Sequence, residues 1–173
     1  GGASSAGDRF SLVTTGADDD ITFAPSSETS GTIDVVSPAV GGPMTSYALA
    51  GVEAAAIDAK SEFTVDTLTS SLAQSFVVPD PFVLGRGTIQ STDVNLNPLL
   101  PLSYDDVENL VISGTDVIIQ GSPASDEIRV SLEDLAGDGS ADQVVVRVNG
   151  NPIDVTGYAA TINIQALGGD DFV

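Results

Sequence analysis

The sequence predicts an all-β protein built as a repeat array: a β-solenoid (β-helix-like) of about three units, with an antiparallel β-sandwich or propeller blades as the alternative architectures. Three observations predict it. Short runs rich in Val, Ile, Thr and Phe alternate with Gly, Pro, Asp and Ser, the pattern of brief strands punctuated by turns. These runs recur: Val52, Glu53 and Ile57 return as Val107, Glu108 and Ile112, each 55 positions on (107 − 52 = 55). A hydrophobic share of 42% over 173 residues is also enough to bury a core.

Each unit opens on a short strand after a polar pair: DRFSLV at 8–13, SEFTV at 61–65 and TDVII at 115–119, with DDFV at 170–173 starting a fourth. Ile21-Thr22-Phe23 then aligns with Phe76-Val77-Val78 and with Ile128-Arg129-Val130, and GTI at 31–33 recurs at 87–89. Next come Tyr47 before GVEAAAIDA, Tyr104 before DVENLVISG, and Tyr158 before AATINIQA. The stretch ALAGVEAAAIDAK has helical propensity, but its partners carry β-branched residues in alternation, so it is read as strand. QVVVRVNG at 143–150 and FTVDTL at 63–68 are likewise strands.

Residues that recur in every unit are expected to serve the fold. The tyrosines should fill one corner of the core, and Glu53 and Glu108, with Thr161 near that place in the third unit, should cap turns or edges. The proline-rich stretches at 77–87 and 95–102 are expected to project as loops, because proline cannot serve a central ladder. The organisation is therefore a flexible segment at 1–6, repeats at 7–59, 60–114 and 115–167, and the start of a fourth repeat at 168–173. A chain that opens on GGASSAG and stops inside a repeat reads as a segment of a longer array, or as one whose cut edge a neighbouring subunit completes.

Twenty-five acidic residues against five basic ones give a formal charge of −20, which repels nucleic-acid phosphates and anionic lipid surfaces. No run is long and apolar enough to span a bilayer. With no Cys and no His, there is no disulfide, no thiol nucleophile, no thiolate metal site and no imidazole base. The remaining ligand chemistry is oxygen, which suits a hard cation such as Ca²⁺.

The sharpest such sequence is DLAGDGSADQVVV at 134–146, where Asp134, Asp138 and Asp142 stand four apart around two glycines, with Ser140 able to add an oxygen. The plain alternative is an acidic solvated hairpin loop. This stretch resembles the DxNGDGxxD calcium loop of FG-GAP-type repeats, which puts Asp134, Asp138 and Asp142 on metal-bearing positions; it departs at Ala136, where a ligand would be lost. GADDDITF at 16–23, ASDEIRV at 124–130 and GGDDFV at 168–173 resemble degenerate glycine-aspartate turns of RTX-like β-solenoids, with SLAQS at 71–75 as an acid-free equivalent. That resemblance implies a calcium-associated repeat segment of a large exported bacterial surface protein. It adds Asp18, Asp19, Asp20, Asp126, Glu127, Asp170 and Asp171 as candidate Ca²⁺ ligands, against strand-flanking solubilising charge.

Catalysis is not expected. A polysaccharide-cleaving β-helix enzyme would need convergent acids and a base, and the only cations are Arg9, Lys60, Arg86, Arg129 and Arg147. Without Trp, and with 5% aromatics, the stacking platform of a carbohydrate-binding module is thin. The expected function is a non-catalytic structural or adhesive segment, extracellular or at the cell surface. Its expected partners are neighbouring repeats or subunits of the same assembly, with an accessory role in a larger assembly or extracellular polysaccharide binding as alternatives, and neither nucleic acid nor membrane insertion.

Overall fold

A computed structural model of the chain describes residues 7–14, 19–37, 44–58, 62–65, 72–113, 116–134, 143–156 and 161–172. Among these residues it is all-β, with fifteen strands and no helix. The strands are β1 Arg9–Val13, β2 Asp20–Ser27, β3 Ser30–Val36, β4 Thr45–Ala50, β5 Ala54–Asp58, β6 Glu62–Val65, β7 Leu72–Pro79 and β8 Gly87–Asp93. They continue with β9 Leu102–Asp105, β10 Asn109–Ser113, β11 Asp116–Gln120, β12 Ile128–Glu133, β13 Gln143–Val148, β14 Asn151–Thr156 and β15 Ile162–Gln165. The segment at 1–6 lies outside the described residues.

The strands form two mixed sheets. The first runs β1-β5-β9-β8-β7-β11-β15 and the second β12-β13-β14-β10-β6-β2-β3-β4. One five-strand arrangement occurs three times along the chain. In each, two parallel strands in one sheet (β1 with β5, β6 with β10, β11 with β15) bracket in sequence an antiparallel meander in the other. The meanders are β2-β3-β4, β7-β8-β9 and β12-β13-β14, in the second, first and second sheet respectively. Among the described residues, the strands of successive groups pair with one another only in parallel: β2 with β6 and β5 with β9, then β7 with β11 and β10 with β14.

Alternation along each strand sends one row of side chains into a core shared by both sheets. Ile21, Phe23 and Ile33 enter it from the second sheet, and Ile57, Val77, Ile89 and Ile119 from the first. The stretch that carries helical propensity is two strands, β4 and β5, turned at Gly51 with φ +71°. Asp106 holds φ +59° at the same place between β9 and β10, an asparagine-like use of the left-handed region. After each turn a valine amide returns to the tip of the preceding hairpin: Val52 N donates to Thr29 O (3.1 Å) and Val107 N to Gly85 O (2.9 Å).

Three expectations need correction. First, the inward row of β7 is Ser75, Val77 and Pro79, so Val77, not Val78, stands where Phe23 does. The alignment of Ile21 with Phe76 is out by one residue, and a one-residue slip in a strand moves a side chain to the opposite face. Of SLAQS, Leu72–Ser75 is not a turn but the start of the strand Leu72–Pro79, and Ser71 lies outside the described residues. Secondly, the tyrosines are not equivalent. Tyr47 pairs with Ile33 whereas Tyr104 pairs with Gly87, and the counterpart of Tyr47, opposite Ile89, is Leu102. Tyr104 is buried at 4% exposure, but Tyr47 is 37% exposed on the outermost strand of its sheet. Tyr158 lies outside the described residues.

Thirdly, the proline-rich stretches do not simply project. Val77–Pro79 belongs to β7, and Leu99 and Leu100 are buried, with Leu100 N donating to Ser27 O at 2.7 Å. Proline is tolerated in this interior strand because β7 pairs with its parallel neighbour β11 only as far as Val77; Pro79 faces Gly87 of β8 alone. Pro25 of β2 repeats the device, beyond the last pair with β6 and opposite Gly31. These glycines explain the recurrence of GTI. A Cβ on Gly87 would lie 2.4 Å from the Tyr104 hydroxyl oxygen, and one on Gly31 would lie 2.9 Å from the Ala24 carbonyl oxygen.

Candidate functional site

The candidate acids that the fold brings together are Asp126, Glu127, Asp170 and Asp171. The β11–β12 connection and the segment after β15 run side by side, because β11 and β15 are parallel neighbours. Gly121 N donates to Gln165 O (2.8 Å), Asp170 N to Ser125 Oγ (3.2 Å), and Asp126 N to Asp171 Oδ1 (3.0 Å). Phe172 then bridges Glu127 in parallel, its N–H donating to Asp126 O (2.9 Å) and its carbonyl accepting from Ile128 N (2.8 Å).

Asp126 is the most enclosed of these acids, at 2% exposure. Its Oδ2 accepts from Ser122 N at 2.5 Å, and its Oδ1 accepts from Ser122 Oγ at 3.1 Å and Asn149 Nδ2 at 2.6 Å. Such donors compensate a buried carboxylate for its lost hydration. Asn149 also accepts from Glu127 N through Oδ1 (2.9 Å), so its side chain ties the β13–β14 turn to the start of β12. That turn has φ +51° at Asn149 and +88° at Gly150, the geometry that makes Asn-Gly a tight hairpin pair. Asn149 and Ser122 were not among the candidates; the Asn-Gly dipeptide after an alternating run was the available signal. Glu127 accepts from Arg129 Nε at 2.7 Å and from Arg129 Nη2.

The other candidates are dispersed. Asp20 is the exposed first residue of β2, and Asp19 accepts from the Ser37 hydroxyl. Asp134 is exposed just after β12, next to Glu133, which pairs with Arg147 Nη1 at 2.7 Å. Asp18, Asp138, Ser140 and Asp142 lie outside the described residues. Among the described residues no three acids form a group spaced to hold a metal ion.

A second feature is a cleft of about 550 Å³ on the outer face of the first sheet. Its floor is made of small residues, including Ala56, Ser103 and Thr88, and its walls carry Arg9, Arg86, Asp58, Asp80 and Asp105. Arg86 grips Asp105 with both ends of its fork, Nε to Oδ1 at 3.0 Å and Nη2 to Oδ2 at 2.6 Å. The hydrogen bond from Arg86 holds the Asp105 carboxyl below its usual pKa, while burial pushes the Tyr104 phenol at the cleft wall upward. Arg9 Nη2 donates to Ser103 Oγ at 2.8 Å. The two guanidiniums thus face three carboxylates, which leaves the cleft without a net attraction for anions.

No described helix is long and apolar enough to cross a membrane. Compared with protein-family models, curated proteins and solved structures, the chain gives no match.

Proposed function

We propose that the chain is a non-catalytic structural segment of β-solenoid type, stacking repeat units in a secreted or cell-surface protein and stabilised by Ca²⁺. The observation that carries the structural part is the five-strand arrangement that occurs three times among the described residues and whose strands pair with those of its neighbours in parallel. Each group leaves strands at its margins that the next group covers, which is how a quasi-one-dimensional array gains stability from its neighbours. The calcium part rests on the density of acids at the connections and on the RTX-like and FG-GAP-like stretches. Clustered carboxylates repel one another, and a cation that binds only the folded turns stabilises them by about 2.7 kcal/mol at a free level 100 times its Kd.

Thermal unfolding followed by circular dichroism, in EDTA, in millimolar Ca²⁺ and in millimolar Mg²⁺, tests this reading. A rise in Tm with Ca²⁺ alone, reduced by Asp138→Ala, is the expected outcome. Equal effects of the two ions, or none, would leave the acids as solubilising charge.

A further inference from the structure

Among the described residues, the outer margins of the first and third strand groups lack the strand neighbour that the internal junctions have, and a single bridge from Phe172 to Glu127 touches one of them. At one end the margins are β1 in the first sheet and β4 in the second; at the other they are β15 in the first sheet and β12 in the second. Inside the chain, the meander's first strand takes the next group's first strand (β2 with β6, β7 with β11). The group's last strand takes the next meander's last strand (β5 with β9, β10 with β14). By the same rule β12 should take a strand of the β1 kind and β15 one of the β4 kind, and β1 and β4 form the opposite margin of this chain.

Side chains at these margins show what is missing. Val130 and Leu132 continue the inward row of Ile128 but are 54% and 71% exposed, while Val77, in the place of Val130, is fully buried. They stand on the edge strand β12, beside an open cleft of about 760 Å³ that Ile128, Val130 and Phe172 line together with Arg129, Glu133 and Arg147. At the other margin Phe10 and Leu12 are only partly buried, and Tyr47 packs on Phe10 with ring centroids 5.9 Å apart. Both internal junctions share one register, Ile21 opposite Phe63 and Ser75 opposite Val117. Carried to the margins, it sets Ile128 opposite Phe10 and Val130 opposite Leu12, inward on inward. On the outer face it sets Glu127 opposite Arg9, an opposite-charge cross-strand pair.

We infer that two copies of this chain associate head to tail, β12 of one copy pairing in parallel with β1 of the next and β15 with β4. The second copy is turned so that its first sheet continues the second sheet of the copy before it, as the meanders already alternate within the chain. Such a contact is heterologous and extends to a filament unless rotation closes it. Phe172, which now pairs with Glu127, occupies the place of the incoming strand and must yield to it. The inference rests on the repeat reading of the fold but not on its calcium part.

The absence of cysteine allows a direct test. Chains carrying Ser11→Cys and Arg129→Cys, both exposed outward positions that the register sets opposite each other, are mixed and oxidised, with folding monitored by circular dichroism. Mixed disulfide dimers should form well above either homodimer, and sedimentation velocity of the unaltered chain should show association over roughly the micromolar to millimolar range. Val130→Lys should abolish association without changing the monomer's circular dichroism, whereas removing residues 172–173 should enhance it. A single monomeric species throughout, or preferential Ser11→Cys homodimers, would overturn the inference. Association that is independent of Ca²⁺ would equally uphold it, because the calcium part of the proposed function is decided by the thermal-unfolding test alone.

Discussion

Phe23 in β2 and Val130 in β12 occupy the same inward place of their meanders, yet one is 1% exposed and the other 54%. Nothing in the local alternation separates them. Phe23 lies next to a strand of the following group, β2 being paired with β6, whereas among the described residues β12 has β13 alone as a strand neighbour. Burial here is a property of stacking order, so the same sequence pattern yields a core residue in the interior and an open apolar margin at the end.

The largest test of this contrast is a pair of truncations. Phe23→Ala should cost about 3–5 kcal/mol in urea unfolding, while Val130→Ala should cost no more than about 0.5 kcal/mol. Equal losses would mean that the margin is as well covered as the interior. Gly87→Ala probes a close approach within the middle group. With the Tyr104 hydroxyl and the Val78 carbonyl both under 3 Å from the new Cβ, we expect a loss of about 1–3 kcal/mol, measured in the same way. If Tyr104→Phe restores part of that loss, the phenolic hydroxyl and not the Val78 carbonyl sets the limit.

Asp126→Ala examines the margin itself. It strips acceptors from Ser122 N and Asn149 Nδ2, and should lower stability by about 1–2 kcal/mol while speeding hydrogen exchange at Ser122 before it does so in the interior strands. The smallest expected effect is on pH dependence. The folded-state pKa of Asp105 is depressed by Arg86, so the pair's contribution is present above the unfolded carboxylate pKa and lost as pH falls through the folded value. Arg86→Met should therefore move the acid-unfolding midpoint slightly upward in pH, a small change because both side chains are more than two-fifths exposed.

Much of the array was legible. The 55-residue offset that matches Val52 with Val107 places Tyr47 on Leu102, which is where the structure puts it; the tyrosines, two residues off that offset, were a false pair. The one-residue error at Phe76 has a similar origin, since a run of apolar residues such as Phe76-Val77-Val78 shows no alternation from which to choose a face. Pro79 was misread because proline is excluded only where a strand must pair on both sides; it stands in β7 past the last pair with β11, opposite Gly87 alone. At the site, the acids at 126–127 and 170–171 were named from the sequence, whereas their donors Ser122 and Asn149 were not. Asn149 reaches Asp126 across 23 positions, a contact that exists only once β13 and β14 turn back beside β12.

By itself the sequence determined that this chain is all-β, that its strands are short, and that they recur in a common order, because strand length, alternation and turn residues are local properties. Only the tertiary structure decided which sheet each strand joins, that the meanders alternate between sheets, and that neighbouring groups meet through parallel pairs. Those choices depend on partners tens of residues away, and similar Val-, Ile- and Thr-rich strands fit either sheet equally well until the strand beside them is in place.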